Sequence, residues 1–459
     1  MTSRFDAIVV GAGQAGPSLA GRLAEAGMHV ALIERGHLGG TCVNTGCTPT
    51  KALVASARVA HVARRAADFG VTVKSDVAVD FPAVQARQRA ISAASREGLE
   101  RWIGGMDRCT LIRGHARFVS PSEIEVGDQI LSSERIFLNV GARAQVPDMP
   151  GIRDVPILTN SKILALDQRP AHLVVVGGSY IGLEFAQMFR RFGSAVTVVE
   201  RGPRLIGRED PEVSDAIRDI LEREGIQVRL EAECIRFERR GPDIAVGLHC
   251  DSGAPEVIGT HALLAVGRQP NTDDLGLDRA GVTRDPRGYI SVDDQLRTNV
   301  PGVYALGDCN GRGAFTHTAY NDFEIVAANL LDGSSRSVAD RIPAYALYID
   351  PPLGRAGLSE AEARKAGFKV RIGARPMTRV SRAVEKGETQ GLMKVVVDVE
   401  TDRILGAAVL GPGGDEAVHG LIDMMSAGMT ASAYRRVMPI HPTLSELIPT
   451  ILGELGPAD

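Results

Sequence analysis

The segment GGTCVNTGCTPTK, from Gly39 to Lys51, sets two thiols, Cys42 and Cys47, five positions apart. Two thiols within reach of each other can store an electron pair reversibly as a disulfide and pass it on by thiolate exchange. A disulfide needs Cα atoms about 5.5–6 Å apart; an extended chain would hold these too far apart, whereas a helical turn brings them close. Pro49 suits a first helical turn, and KALVASARVAHVARRA continues as an amphipathic helix. A thiolate at a helix N-terminus is stabilised by the dipole and the free N–H groups, which lowers its pKa and makes it reactive. The competing readings are two unrelated core cysteines or half a zinc site. Zinc spacing is usually tighter, and no partner Cys/His pair follows at a suitable distance, so no metal site is expected.

A thiol relay also needs a group to take up and return protons, and imidazole titrates in the right range. Near the far end, MPIHPTLSELIPTILGEL holds His441 and Glu446 at the start of a predicted helix. A carboxylate bonded to one ring nitrogen would fix the tautomer and support the imidazolium. Thr443 and Glu446 forming a capping box explains the same residues equally well, and both readings can hold together.

The elements that must position these groups come from an internal duplication. Residues Ile8 to Gly36 read IVVGAGQAGPSLAGRLAEAGMHVALIERG, and Val174 to Gly202 read VVVGGSYIGLEFAQMFRRFGSAVTVVERG. Gly11, Gly16, Gly27, Glu34 and Gly36 recur 166 positions later as Gly177, Gly182, Gly193, Glu200 and Gly202. Each copy is a β-branched strand, a glycine loop and a helix, with a carboxylate 23 residues after the first glycine. That context points to dinucleotide binding, with the pyrophosphate on the helix N-terminus and the carboxylate on the adenosine ribose. In the second copy Ser179 replaces the middle glycine and narrows the approach of the phosphates. Two such sites imply electron transfer between two dinucleotides, usually a flavin and a nicotinamide.

Elsewhere Phe81 to Arg101 reads as a polar helix, and Leu111 to Val140 as short strands with turns. AVGRQPN (Ala265–Asn271) and GVYALGDCN (Gly302–Asn310) read as short strands ending in polar turns. From about residue 340 the pattern becomes α+β. A chain of 459 residues has room for two to four domains. Net charge of −4 and an aromatic content of 4% argue against nucleic acid as a partner. No apolar run approaches ~18 residues, so no membrane span is expected, and MTSRFDAIVVGAG reads as a buried first strand rather than a signal peptide. Six cysteines do not make a disulfide scaffold in a chain this long. Cys109, Cys234, Cys250 and Cys309 are expected to be packing residues, and the location cytoplasmic.

With these motifs in this order, the sequence resembles the class I pyridine nucleotide–disulfide oxidoreductases, including dihydrolipoamide dehydrogenase, glutathione reductase and mercuric reductase. The resemblance covers essentially the whole chain. It implies an α/β fold with two Rossmann-like domains and a C-terminal α+β dimerisation domain. The FAD domain is expected at 1–147 and 269–337, the NAD(P)H domain at 148–268, and the dimerisation domain at 338–459. On the resemblance, Gly11, Gly13 and Gly16 face the FAD pyrophosphate and Glu34 its ribose; Gly40, Thr41, Lys51, Ala116, Asp308 and Thr316 complete the FAD site. Gly177, Ser179, Tyr180, Gly182, Glu184, Glu200 and Gly267 form the NAD(P)H site, Tyr180 covering the empty nicotinamide pocket. Cys47 is the charge-transfer thiolate and Cys42 attacks substrate. Lys51 and Glu184 form an ion pair near the flavin's reactive edge, and His441 with Glu446 serves the disulfide of the partner in a homodimer.

The subfamily is less sharply marked. TCVNTGCTPTK and GAFTHTAYNDFEIV look closest to mercuric-reductase-like and reactive-chlorine-resistance (hypothiocyanite reductase) flavoproteins. No cysteine follows Cys309, unlike mercuric reductases with a C-terminal cysteine pair, and the HPT histidine is present. The expected enzyme is an NAD(P)H-dependent disulfide reductase acting on a small oxidised sulfur species, a small-molecule disulfide or a soft metal ion. Glu200 favours NADH over NADPH, although Arg201, Arg204 and Arg208 could meet a 2′-phosphate. The alternatives are a dihydrolipoamide dehydrogenase, a mercuric or Cu(II) reductase, a thiol-based metal-sequestering protein, and a cysteine-independent flavin oxidase or transhydrogenase.

Overall fold

The computed structural model describes residues 2–249 and 255–457. The chain divides into two compact units: Met1–Ala52, Gln85–Gln145 and Gly267–Arg341 form one, and Leu53–Val84, Val146–Val266 and Ile342–Asp459 the other.

The first unit is built on a parallel five-stranded sheet in the order Val303–Ala305, Ile136–Leu138, Ala7–Val10, Val30–Glu34, Cys109–Arg113. Its strand Ala7–Val10 is buried throughout, which is why AIVV is an unbroken apolar run rather than an alternating one. Helix Gly16–Glu25 packs Leu19, Ala20 and Leu23 against Ala7, Val9 and Phe137. Ile8 and Val10 join a separate core with Phe118, Ile124 and Leu131, which come from a four-stranded sheet of Thr2–Arg4, Gln129–Ser132, Glu123–Val126 and Ala116–Ser120.

The second unit repeats the parallel sheet with Ile157–Leu158, His261–Leu264, His172–Val176, Ala195–Val199 and Gln227–Arg229. The duplication extends to register: Ile8 pairs with Ala31, and Val174 with Thr197. Helix Tyr180–Phe192 buries Leu183, Phe185, Ala186 and Phe189 in this unit's core. From residue 344 an antiparallel sheet runs Ala344–Leu347, Leu353–Gly357, Ile404–Leu410, Leu392–Asp398, Val370–Pro376. Helices Gly414–Ser426 and Leu447–Gly453 contribute Leu421, Ile448 and Ile451 to its core.

Three expectations need correction or extension. AVGRQPN is not one strand: it joins His261–Leu264 to Arg268–Pro270, which pairs antiparallel with Ala142–Ala144. Gly267, at φ +129°, supplies a backbone conformation that a side chain would strain. The helix opening at Phe81 runs to Gly104, beyond Arg101. Cys234 is disulfide-bonded rather than a packing thiol; sequence separation alone gives no Cα distance and could not have shown this. Cys250 lies outside the described residues. Cys109 and Cys309 are free, and burial pushes the Cys309 thiol up to about 12. Among the described residues no helix is long and apolar enough to cross a membrane.

Candidate active site

Cys42 lies in the short helix Gly40–Asn44, and Cys47 opens the helix Cys47–Arg64. The two sulfurs are therefore brought together across the junction of two helices, not within one helical turn. Gly46 makes the junction possible, since a Cβ there would stand 2.8 Å from the Thr41 carbonyl oxygen. Asn44 ties the turn down, donating to the carbonyls of Leu38 (2.9 Å) and Gly40 (2.8 Å) while accepting from Arg96 (3.2 Å). Gly40, at φ +57°, lets this segment lie against the first glycine loop: its Cβ would come within 2.9 Å of Gly13 Cα.

The pair is electrostatically lopsided. Cys42 donates a hydrogen bond to Cys47, and this, with help from Thr316 and Lys51 and against the cost of burial, holds the Cys47 thiol down to about 6. The same interaction, with burial and the Cys47 charge, pushes Cys42 far above the ordinary thiol range. Thr316 Oγ1 is 3.2 Å from Cys47 Sγ and begins the helix Thr316–Leu331. Thr316, expected among the FAD residues, thus also touches the reactive sulfur. Nothing local marks that contact, because 269 positions separate the two residues.

In the first glycine loop, a Cβ at Gly11 would meet the Asn139 carbonyl oxygen at 2.3 Å, and one at Gly16 the Gly11 carbonyl oxygen at 2.0 Å. Asn139, which sequence reasoning missed, accepts from Gly16 N–H (3.0 Å) and donates to Leu306 O (3.1 Å). Its only signal was a polar residue ending the apolar strand IFLN. Glu34 closes the loop by accepting from Ala12 N–H (2.8 Å) and Gly36 N–H (2.7 Å). Asp308 sits in the turn Gly307–Asn310, paired with Arg268 at 3.0 Å, and burial raises its pKa despite that partner. Thr41 lies in the Cys42 helix. The methyl of Ala116 is buried in the core beside Phe118 and Val126, so only its backbone is left to meet a cofactor.

The second loop repeats this geometry. A Cβ at Gly177 would meet the Ala265 carbonyl oxygen at 2.4 Å, and one at Gly182 the Gly177 carbonyl oxygen at 2.1 Å. Glu200 accepts from Gly178 N–H (2.6 Å) and Gly202 N–H (2.7 Å). Ser179 is the N-cap residue of helix Tyr180–Phe192, and its side chain makes no cap hydrogen bond. Buried Glu184, on the same helix, accepts from Tyr348 N–H at 3.0 Å. Tyr180 stacks obliquely on Tyr345, ring centroids 6.0 Å apart.

His441 Nδ1 lies 2.9 Å from Glu446 Oε2, with the imidazole 76% exposed. Half of the expected capping box forms, since Glu446 N–H donates to Thr443 Oγ1 at 3.2 Å. The Glu446 carboxylate does not return the bond to Thr443; it is committed to the histidine. Glu446 itself is the N-cap of helix Leu447–Gly453.

These residues fit two dinucleotides. The second fingerprint helix has no side-chain cap, so the N–H groups of Ile181 and Gly182 can meet an anion. In the first, Gly16 N–H is taken by Asn139 and Pro17 has no N–H, which leaves Ser18 N–H for that role. Each loop carboxylate keeps lone pairs beyond its two backbone bonds for ribose hydroxyls.

Residues 5–322 match the family model described as pyridine nucleotide-disulphide oxidoreductase, and residues 343–451 match that family's dimerisation domain. The chain belongs to this family and is a flavoprotein oxidoreductase; membership implies FAD and a nicotinamide cofactor. The probable pyridine nucleotide-disulfide oxidoreductase RclA of Escherichia coli is 34% identical over 97% of this chain and 98% of its own length. A solved structure, the Cu(II) complex of the HOCl-induced flavoprotein disulfide reductase RclA, superposes with a TM-score of 0.89 at 33% identity, covering 98% of this chain and 99% of that one. A dihydrolipoyl dehydrogenase of Thermus scotoductus is 34% identical over 96% of this chain and 95% of its own. A mercuric reductase of Streptomyces lividans is 32% identical over 97% and 94%.

Proposed function

We propose that this chain is a cytoplasmic, homodimeric NAD(P)H-dependent reductase that passes electrons through FAD to the Cys42–Cys47 disulfide and on to a small oxidised sulfur species. The observation that carries this reading is the junction of two helices that brings Cys42 and Cys47 together, with the Thr316 hydroxyl 3.2 Å from Cys47 Sγ, where it favours that sulfur as the thiolate. When bound, FAD supplies the two-electron exchange between nicotinamide and disulfide. The rest falls to the chain's own residues. Gly11, Gly13, Gly16 and Glu34 bind one dinucleotide, and Gly177, Ser179, Gly182 and Glu200 the other. Lys51 favours the Cys47 thiolate, and on the resemblance it forms an ion pair with Glu184. His441, held by Glu446, takes the proton of the partner copy's Cys42, whose thiolate attacks the acceptor's sulfur. For hypothiocyanite the S–O bond breaks as the new S–S bond forms, and the oxygen leaves as water with the proton from His441 and one from solvent. Cys47 then attacks Cys42 Sγ, restoring the disulfide and expelling the reduced acceptor. For hypothiocyanite the sum is NADH, a proton and hypothiocyanite giving NAD⁺, thiocyanate and water.

Exposed Met438 (92%) and Ile440 (79%) beside His441 support a second copy covering this segment. The exposed histidine supports an oxidised-sulfur acceptor over a metal one, because thiol–disulfide exchange needs a base and metal reduction does not. The proposed order of acceptors is hypothiocyanite-like species, then dihydrolipoamide or lipoamide, then Hg(II) or Cu(II). Steady-state rates with each at equal concentration, in the native protein and His441→Ala, test it. Efficient mercury or copper reduction that survives His441→Ala overturns the order.

A further inference from the structure

Next to the second fingerprint helix lies a cluster that neither the glycine loop nor the thiol relay uses. Arg208, exposed, places its guanidinium 4.9 Å from the ring centroid of Tyr180 and 5.2 Å from that of Tyr345. Tyr345 donates its hydroxyl to buried Glu209 in a short hydrogen bond. Tyr345 is the direct cross-strand partner of Arg355, so both side chains stand on one face of the sheet, and Arg355 Nε approaches Glu209 Oε2 at 3.9 Å.

Two features show that this cluster is not built for stability. Arg355 is 2% exposed, yet its two terminal nitrogens and Glu209 Oε2 have no hydrogen-bond partner among the described residues. Buried unsatisfied polar atoms are costly. The turn carrying Arg208 and Glu209 also contains Ile206 at φ +45°, a conformation a β-branched residue rarely adopts. That conformation is held by Ile206 N–H donating to Gly178 O at 2.8 Å and by Glu209 N–H donating to Ile206 O at 2.9 Å. The strained turn thus ties the glycine loop to the two tyrosines, and strain of this kind collects where geometry serves function.

We propose that Arg208, Tyr345 and Glu209 form a latch that holds the ring of Tyr180 in place and so sets how readily the nicotinamide enters. Arg208 is then a positioning residue, bound to tyrosine rings rather than to a 2′-phosphate. The inference rests on the reading of Tyr180 as the cover of the nicotinamide pocket.

The test is a double-mutant cycle on the half-saturating NADH concentration for flavin reduction, followed by anaerobic rapid mixing of the flavin-loaded protein. Arg208→Met frees the ring and should lower that concentration about three- to tenfold, the range expected from losing a cation–π contact, with the limiting rate held within about twofold. Tyr345→Phe, which frees the ring from Glu209, should act in the same direction. In a Tyr180→Ala background Arg208→Met should have no further effect, a coupling that a merely structural role would not produce. Equal effects of Arg208→Met in both backgrounds overturn the latch. Weakened NADPH binding with NADH unchanged overturns it in favour of phosphate recognition. If Tyr180→Ala alone leaves NADH saturation unchanged, the reading of Tyr180 as a cover fails, and the latch with it. Absence of flavin reduction by NADH or NADPH would instead defeat the proposed function.

Discussion

The hydroxyl of Thr316 lies 3.2 Å from the sulfur of Cys47. A hydroxyl at that distance can donate to a thiolate, and donation to the charged form favours it. Thr316→Val should therefore raise the midpoint at which the reduced protein loses its thiolate, from about 6 by about 0.5–1, the equivalent of one net hydrogen bond. The sign follows from the direction of the shift: the thiolate persists above that midpoint and is protonated below it. Long-wavelength absorbance of the anaerobically reduced protein, titrated with pH, reads this directly. Thr316→Ser should behave as the native protein, and an unchanged midpoint in Thr316→Val would remove the hydroxyl from the account.

Gly16→Ala and Gly182→Ala should separate the two dinucleotide sites. Their new Cβ atoms would stand 2.0 and 2.1 Å from carbonyl oxygens of their own loops, so each loop must shift. The first variant should be recovered with less than about half the native flavin, read from the flavin-to-protein absorbance ratio. The second should stay fully yellow but be reduced by NADH at least about tenfold more slowly, the loss expected when loop N–H groups no longer meet the pyrophosphate.

His441→Ala should lower turnover by about 10²–10⁴-fold, the usual contribution of a positioned acid–base group. Mixing inactive Cys42→Ser and His441→Ala dimers under subunit exchange should restore part of the activity. No recovery, with exchange proven independently, contradicts a site shared between copies.

NADH should be preferred to NADPH by more than tenfold in kcat/KM, about 1.4 kcal/mol. On the proposed reading the Glu200 carboxylate meets the adenosine ribose and would repel a 2′-phosphate, and Arg208, one of three nearby arginines, is stacked on two tyrosine rings. Comparing the two cofactors decides, and an NADPH preference means that Arg201 and Arg204 win.

What the sequence disclosed and what it hid divide along chain distance. The fingerprints were legible because a strand, a glycine turn, a helix and a carboxylate lie within one short stretch, and only glycine tolerates the contacts at Gly11 and Gly16. Cys42, Cys47 and Cys42's neighbour Gly40 were legible for the same reason. Asn139, which holds Gly16 from 123 positions away, and Thr316, which reaches Cys47 from farther still, are set by tertiary packing alone. Glu446 was ambiguous between a cap and a histidine partner until the geometry placed its carboxylate on His441 Nδ1.

The carboxylate clasps in the two loops carry a lesson for engineering cofactor preference. Glu200 is the obvious residue to replace when recruiting NADPH, yet its oxygens also hold Gly178 N–H and Gly202 N–H. A neutral or basic replacement would abandon the turn as well as the ribose, so selectivity and loop order are not independently adjustable at this position. Redesign would do better to leave Glu200 in place and work on the exposed arginines after it. Glu34, clasped in the same way to Ala12 and Gly36, is an unaltered reference loop within each molecule against which damage to the second could be judged.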